Sequence, residues 1–304
     1  MIMRAVWDHF WFKSIDARQY AALRIVFGSL TAIYFLSFLP YVETQFSASG
    51  WLGDIRQIAV QNGGSWSLFY ITTGSQANTV AYVVVIVGLL ATLVLMIGWH
   101  TRLAAFITWL VWVSLWNRNP LLLDGDDAVL KVMSFYLMLS PCGNVWSVDS
   151  YLHKKPQTVS VWPLRLMQFQ IALIYFVSGW VKFHSQEWLH GTAIHYVLVH
   201  PHYSRWDGWN AVNHPLIARI LGLLTWFIRW WELLFPFFLI CRYTRKPCLL
   251  IGILFHLGLL MTMNLRWFAV IMLAFYLALV SNGFFLWFEN KVCTYFGAIR
   301  RNSS

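Results

Sequence analysis

Charged side chains are scarce in this sequence. Only 11% of its 304 residues are Asp, Glu, Lys or Arg, whereas soluble globular proteins average about 25%. Hydrophobic residues make up 59% of the chain, and the mean hydropathy is +0.58. No polar stretch between the apolar runs is long enough to fold as a separate soluble domain. The composition therefore excludes an ordinary soluble enzyme and predicts one polytopic membrane domain.

Several sequence signatures of known chemistry are also missing. The cysteines form no CxxC pair and no His/Cys cluster, which argues against a disulfide framework and a zinc site. There is no GxSxG, HExxH or glycine-rich phosphate loop. The N-terminus has no apolar core followed by a cleavage site, so a cleaved signal peptide is not expected. The 22 Lys and Arg residues are scattered, which argues against nucleic-acid binding.

Long apolar runs are what the sequence has in abundance. A membrane-spanning helix needs about 20 mostly apolar residues, and eight segments qualify, of which the third, fourth and seventh are short. We expect an all-α fold, a polytopic transmembrane helical bundle of about eight spans. The segments are 20–42, 78–98, 103–117, 128–142, 163–182, 216–241, 249–264 and 267–288.

Basic residues set the predicted orientation, because Lys and Arg are in excess in cytoplasmic loops. With the N-terminus inside, one side holds Arg4, Lys13, Arg18, Arg102, Lys154, Lys155, Arg242, Arg245, Lys246, Lys291, Arg300 and Arg301, and the other holds Arg56, Arg118, Lys182, Arg205 and Arg266. The excess places both termini in the cytoplasm. We expect a cytoplasmic amphipathic N-terminal segment at 1–19, a transmembrane domain at 20–288 and a cytoplasmic basic tail at 289–304.

This topology gathers unusual polar residues on the outer face. Lys182 ends the fifth span there, and six of the ten histidines lie in the loop that follows. Lys182 has two interpretations. Its long stem lets the ammonium reach the lipid headgroups, or packing holds it in a half-dry pocket, where desolvation disfavours the charged form and makes it a general base. Spacing alone does not choose between them.

Three carboxylates come together where the fourth span begins, at Asp124, Asp126 and Asp127. We expect Asp126 or Asp127 to cap the helix and to complement its dipole, and Asp127 with Lys131 makes an i,i+4 pair. Capping explains at least one of the three. The others are also placed to bind a cation or to orient a base.

Two later spans carry polar residues at depth. His256 lies in the middle of the seventh span, and Asn264 follows eight residues later on nearly the same helical face. An ionisable residue at that depth marks a functional site by default, and a neutral histidine bonded to a neighbouring carbonyl is the ordinary alternative. In the sixth span, Arg229 and Glu232 are three residues apart, and we expect them to pair with each other.

Several motifs, in order along the chain, resemble the membrane region of vitamin K-dependent gamma-carboxylase, which is called the HTTM domain. They are VWSVDSYL at 145–152, YFVSGWVKFHSQEW at 175–188, FH at 255–256 and MNLRWF at 263–268, and the opening DARQYAALRIVFGSL at 16–30 is also similar. The chain is thus identified as a member of the HTTM superfamily. It is similar in architecture to short bacterial members, one of which is involved in maturing a secreted sporulation-delaying peptide.

The resemblance implies particular chemistry. In the carboxylase, a lysine of the second motif is implicated in deprotonating vitamin K hydroquinone, and it matches Lys182. Asp126 stands where the carboxylase has a supporting histidine. We therefore expect a quinol-like, lipid-soluble cosubstrate and no metal. The expected catalytic residues are Lys182, Asp126, Asp127 and His256, and the expected substrate-binding residues are Asn264, His184, His190, Trp188 and Tyr175.

The resemblance also bears on the substrate. Carboxylases have a large lumenal region that binds the propeptide, and this sequence contains no such region, so glutamate carboxylation itself is not expected. We expect a gamma-carboxylase-like lyase or another peptide-modifying membrane enzyme, or a subunit of one. It would mature a secreted peptide beside a soluble partner protein, in a bacterial plasma membrane, with its polar pocket on the extracytoplasmic side.

A non-catalytic function is the alternative. A membrane binding or assembly protein of the same fold would use the histidine-rich outer loop, and then His190, His195 and His202 would matter more than Lys182. A transporter is the weaker third hypothesis, because the sequence has neither a charged run through several helices nor an inverted repeat.

Overall fold

Helices form nearly all of the regular structure, as expected. The computed structural model describes residues 2–53, 60, 63, 65–72, 76–122 and 124–302. In chain order its elements are α1 (Ile2–Phe12), β1 (Ser14–Asp16), α2 (Arg18–Phe38), α3 (Val42–Phe46), α4 (Gln76–Ile97), α5 (Thr101–Arg118), α6 (Gly125–Leu139), α7 (Val148–Leu152), β2 (Thr158–Ser160), α8 (Trp162–Lys182), α9 (Gln186–Leu189), α10 (Ala193–Val199), α11 (Trp209–Asn213), α12 (Pro215–Ile240), α13 (Arg245–Thr262), α14 (Phe268–Phe275) and α15 (Asn282–Asn302), with 3-10 turns at Leu39–Tyr41, Leu68–Tyr70 and Tyr276–Ala278.

Five helical segments are long and apolar enough to cross a membrane. They are α2 continued through α3, then α4, α8, α12 and α13, and a sixth is added if α14 and α15 are counted as one bent span. The predicted spans 103–117 and 128–142 correspond to α5 and α6, of 18 and 15 residues, and neither is among the five. An integral membrane protein is therefore supported, whereas eight spans and cytoplasmic termini stay predictions.

The predicted last span, 267–288, is not one continuous helix. α14 ends at Phe275, a 3-10 turn follows to Ala278, and α15 begins only at Asn282. Ser281, Asn282 and Gly283 lie at the end of the break, where α15 begins. Ser and Asn side chains compete for backbone hydrogen bonds, and Gly has low helix propensity. Hydrophobic periodicity missed the break because apolar residues continue on both sides of it.

The chain divides into two compact units. Unit 1 comprises Met1–Leu166 and Leu277–Ser304, and unit 2 comprises Met167–Tyr276. In unit 1, consecutive helices α4, α5 and α6 pack pairwise and α2 packs on α4. β1 and β2 pair antiparallel, with Ile15 opposite Val159. The core of unit 1 includes an aromatic cluster, in which Phe35 and Trp112 are fully buried with their ring centroids 5.2 Å apart.

Residues of the WSVD motif cap the N-termini of two helices of unit 1. The Asp149 carboxylate accepts hydrogen bonds from the backbone N–H groups of His100 (2.8 Å) and Thr101 (3.1 Å) and from the Thr101 hydroxyl. It therefore caps the N-terminus of α5, and Lys155 approaches it to 3.2 Å. Ser147 caps the following helix, α7. The motif that carried part of the resemblance has a structural role here.

A buried arginine adds to the same junction. Arg24 of α2 is fully buried and donates to the carbonyl oxygens of Cys142 (2.8 Å) and Trp146. Gly98, between α4 and α5, has φ +80°, and a Cβ there would lie 2.6 Å from the Arg24 guanidinium. Only glycine provides both the left-handed backbone and the space.

Loss of the Asp149 cap should destabilise unit 1 in a pH-dependent manner. Burial raises the pKa of Asp149, but hydrogen bonds from Thr101, His100 and Lys155 outweigh it, so the pKa lies below its ordinary value. We expect Asp149→Ala to lower the free energy of unfolding by about 1–2 kcal/mol. The stabilisation should be complete above the unfolded pKa of about 3.9 and should disappear as the pH falls through the lower folded pKa.

The measurement is denaturant unfolding in detergent at several pH values. Asp8→Ala is the matched control, because its side chain is 56% exposed and pairs only with exposed Arg4. Equal stability of Asp149→Ala and the wild type at pH 7 would contradict the capping role.

Candidate functional site

Unit 2 encloses an apolar cavity with a few polar groups. Its volume is about 640 Å³, within the range of small-ligand pockets. Side chains of α8, α10, α12, α13 and α14 line it, and most of them are aliphatic or aromatic. The polar lining residues are Tyr175, Ser178, Lys182, Glu232, His256 and Thr262. Such a cavity accepts a mainly apolar molecule and offers it a small number of hydrogen bonds.

A close helix crossing positions the first polar group. Gly179 of α8 packs against the backbone of α12, where a Cβ on Gly179 would lie 2.4 Å from the Leu233 nitrogen. Lys182 is one turn further along α8, and Glu232 is the residue before Leu233. The absence of a side chain at Gly179 therefore brings these two charged residues within reach of each other.

Lys182 and Glu232 form a shielded ion pair at this crossing. The Lys182 ammonium donates to the Glu232 carboxylate and to the Ser178 hydroxyl at 2.8 Å. The Lys182 side chain is 16% exposed and that of Glu232 is 4% exposed. The ammonium also lies 4.7 Å from the Trp188 ring centroid. Lys182 therefore turns into the cavity, and the snorkelling interpretation does not fit its contacts.

Glu232 is a site residue that the sequence analysis missed. It was expected to pair with Arg229, and within the described residues that expectation is wrong. Arg229 lies 4.4 Å from the Phe183 ring centroid and donates to the Trp188 carbonyl oxygen. Residues three positions apart on a helix pair only if their side chains point toward each other. Arg229 and Glu232 instead contact different partners. Two sequence features could have identified Glu232 as a site residue. They are its position deep in an apolar span and the SGxxK pattern of α8.

A second polar cluster lines the same cavity. The Tyr175 hydroxyl lies 2.6 Å from His256 Nε2 and 2.6 Å from the Tyr276 hydroxyl. His256 is 1% exposed, and its Nδ1 has no partner within the described part of the chain. Gly252 makes room for the Tyr276 hydroxyl, since a Cβ there would lie 1.9 Å from it.

Counting donors gives a direction to this hydrogen-bond chain. A neutral imidazole has one N–H donor and one acceptor nitrogen. If Tyr276 donates to Tyr175 and Tyr175 donates to His256 Nε2, only the Nδ1–H remains unsatisfied. The reverse direction leaves two groups unsatisfied, namely the buried Tyr276 O–H and the Nδ1 acceptor. Because unpaired buried polar groups are costly, the first direction is favoured, and the His256 Nδ1–H is then a buried donor without a partner in the described residues.

Of the other residues predicted to bind substrate, one lines the cavity and three are exposed. Trp188 lines the cavity. His184 and His190 are exposed, and the His184 Nδ1 is bonded to the Trp180 carbonyl. Asn264 is exposed and lies beyond α13, which ends at Thr262, so its expected place on the helical face of His256 is wrong. Substrate binding by these residues stays a prediction.

Asp126 and Asp127 lie in unit 1, where local contacts hold them. Asp124 is the N-cap of α6, and the Asp127 carboxylate reciprocates by accepting from the Asp124 N–H at 2.7 Å. Asp126 accepts from the Tyr34 hydroxyl at 3.2 Å. A capped helix is thus confirmed, but the N-cap is Asp124, whereas Asp126 or Asp127 was expected. Lys131 lies 3.9 Å from the Trp116 ring centroid.

Among the described residues, no group of three or more His, Cys, Asp or Glu side chains is arranged to hold a metal ion. A catalytic role for Asp126 and Asp127 stays a prediction.

The Gly179 crossing should be intolerant of a methyl group. We expect Gly179→Ala to lower the free energy of unfolding by about 1–3 kcal/mol, because the new Cβ must push α12 away. Gly258 of α13 is the matched control, since a Cβ there meets nothing within 4 Å. Gly258→Ala should be neutral or stabilising by up to about 1 kcal/mol, as helix propensity predicts. Unfolding in detergent measures both, and equal effects of the two variants would contradict the close crossing.

Comparison with known proteins identifies a relative and a domain family. An uncharacterized protein, YitO of Bacillus subtilis (strain 168), is 32% identical over 117 residues, which cover 35% of this chain and 37% of YitO. The match therefore spans well under half the length of that relative. No solved structure matches. The HTTM domain matches residues 12–286, and the chain therefore belongs to the HTTM domain family.

Proposed function

We propose that this protein is a membrane enzyme, or a subunit of one, in which Lys182 is the general base toward a lipid-soluble cosubstrate held in the cavity of unit 2. One observation carries the proposal: the Lys182 ammonium, with Glu232 and Ser178 as its partners, lines a mainly apolar cavity. An apolar molecule with an acidic hydroxyl fits both the lining and the chemistry of the pair.

The Lys182–Glu232 pair can accept the proton of such a hydroxyl without creating net charge. As the hydroxyl gives its proton to Lys182, Lys182 passes one of its protons to Glu232. The products are a ligand oxyanion, a Lys182 ammonium and a neutral Glu232 acid. The total charge is unchanged, which matters because an uncompensated charge in a low-dielectric site is costly. The ammonium then faces the new oxyanion and stabilises it.

His256 supports a cosubstrate with a second oxygen. Its favoured tautomer presents Nδ1–H as a donor, and Tyr175 and Tyr276 hold the other nitrogen as an acceptor. A quinol-like molecule has a hydroxyl for Lys182 and a further oxygen for His256. We therefore assign His256 the role of binding and orienting the cosubstrate, and Tyr175 that of holding the imidazole.

Lateral entry from the bilayer is consistent with the cavity wall. Leu224, Phe227 and Leu254 line the cavity and are also 43%, 50% and 59% exposed. These side chains belong to α12 and α13, which are candidate membrane spans. A lipid-soluble molecule would thus pass between two spans and would not need to cross water.

The peptide part of the proposal rests on the family resemblance. We propose that a soluble partner protein holds the peptide beside the site. We propose a secreted peptide as substrate, a bacterial plasma membrane as location and an extracytoplasmic opening of the site. Asp126 and Asp127 remain proposed catalytic groups, and glutamate carboxylation is not part of the proposal.

The base can be tested with 1-naphthol, a stable aromatic alcohol whose anion has its own absorption band. We expect the wild-type protein in detergent at pH 7 to raise the bound naphtholate fraction at least tenfold over Lys182→Met, because an adjacent cation favours an anion by one or more pKa units. Glu232→Gln should not lower the bound naphtholate fraction, because it keeps the Lys182 cation and removes the carboxylate that competes with the naphtholate anion.

Naphthalene is the matched control ligand for this experiment. It lacks the hydroxyl and should bind equally to the wild type and to Lys182→Met, which would demonstrate that the cavity is intact. If both proteins bind 1-naphthol with the same naphtholate fraction, Lys182 is not the base.

Secreted peptides can distinguish catalysis from the binding alternative. In a host lacking this gene, we expect at least one secreted peptide to change in mass or abundance. The wild type and the triple variant His190→Gln/His195→Gln/His202→Gln should restore it, whereas Lys182→Met should not. Mass spectrometry of the medium measures this, and the opposite pattern would favour the non-catalytic alternative. No change in any peptide would exclude peptide maturation but not the base.

A further inference from the structure

A second apolar groove lies where α12 and α13 are joined. Its volume is about 320 Å³, and it is separate in chemistry from the cavity that holds Lys182, because its lining includes no ionisable group other than one tyrosine and one cysteine. The lining residues are Phe227, Trp230, Trp231, Leu234, Phe238, Tyr243, Thr244, Pro247, Cys248 and Ile251. A molecule that fills it must present a hydrocarbon surface.

Basic residues are adjacent in sequence to the groove residues Tyr243, Thr244 and Pro247. The connection and the first turn of α13 contain Arg242, Arg245 and Lys246, and α13 has no acidic residue in its first turn. Arg242 and Lys246 are exposed. Neither has a carboxylate partner in the described residues, and the Arg242 guanidinium instead stacks 4.8 Å from the Tyr243 ring centroid.

The carboxylates of unit 2 are all positioned elsewhere. Its sequence contains only three, at Glu187, Asp207 and Glu232. Glu232 is engaged by Lys182. Asp207 is close in sequence to Arg205, whose N–H bonds the Thr262 carbonyl at the opposite end of α13, and Glu187 accepts from Ser185. Among the described residues, Arg242 and Lys246 thus have no counter-charge from the carboxylates of unit 2.

Aromatic residues indicate the depth of this site in a membrane. Trp230 and Tyr243 line the groove and are 49% and 75% exposed. Trp and Tyr concentrate at the boundary between lipid and water. Arg242 comes just after the candidate span α12, and Lys246 lies at the start of the candidate span α13. An occupant therefore has its polar end at headgroup level and its apolar part beside the helices.

We propose that this groove binds one anionic phospholipid, with its phosphate at Arg242 and Lys246 and one acyl chain along Trp230, Leu234 and Phe238. Charge complementarity carries the assignment, since basic pockets beside spans bind anionic headgroups. The positive end of the α13 dipole adds to the attraction for the phosphate. The site is independent of the proposed base and would exist in a catalytically inactive member of the family.

Native mass spectrometry of the full-length protein tests this site. Detergent-released protein is titrated with phosphatidylglycerol or with phosphatidylcholine of identical acyl chains. We expect one phosphatidylglycerol to be retained preferentially, and Arg242→Gln/Lys246→Gln to weaken its binding roughly 10- to 30-fold, from about 1 kcal/mol for each cation. Phosphatidylcholine binding should change little.

Two further variants separate the parts of the site. Arg102→Gln/Lys154→Gln is the matched control, because it removes two exposed cations from unit 1 and should leave phosphatidylglycerol binding intact. Leu234→Trp fills the groove and should weaken both lipids. Glycerol phosphate, the soluble headgroup alone, should not displace the bound lipid.

Three results would overturn the proposal. Equal retention of the two lipids by the wild type would remove the role of charge. Unchanged phosphatidylglycerol affinity in Arg242→Gln/Lys246→Gln would remove the role of these cations. Complete displacement by glycerol phosphate would show a simple anion site without an acyl-chain groove.

Discussion

A carboxylate that is almost completely removed from water must be neutralised, and the organisation of unit 2 follows from that requirement. Glu232 is 4% exposed at its side chain and lies in an apolar helix. Its partner is Lys182 on the neighbouring helix, and removal of either residue would leave an uncompensated buried charge. The two helices meet closely enough only because residue 179 is glycine. Crossing, ion pair and cavity are therefore parts of one arrangement.

Unit 1 contains buried charges that are satisfied in another way. Arg24 and Arg118 donate to backbone carbonyl oxygens. Backbone partners do not titrate, so these contacts fix the chain and offer no route for a proton. The Lys182–Glu232 pair consists of two groups that can exchange a proton. This difference separates the residues suited to chemistry from those that hold the fold.

Much of this could be predicted from the sequence. The scarcity of charge indicated a helical membrane protein, Lys182 was identified as a pocket residue by resemblance, and the three aspartates at α6 indicated a capped helix. The partner of Lys182 was not predictable in the same way. Helical spacing suggested that Glu232 pairs with Arg229, because spacing describes one helix at a time and contains no information about the residue that the next helix presents.

Other errors have the same origin. Asn264 was placed on the face of His256 by continuing the helix, yet α13 ends at Thr262, and local periodicity does not reveal where apolar sequence stops being helical. By itself, the sequence determined the apolar helices, the glycines that permit contact and the identity of the ionisable residues, since these depend on composition and local spacing. Only the tertiary structure decided that Lys182 meets Glu232, that Tyr276 and Tyr175 orient His256, and that one cavity contains both groups. Those contacts join residues 50 to 101 positions apart, and only the packing of helices brings such residues together.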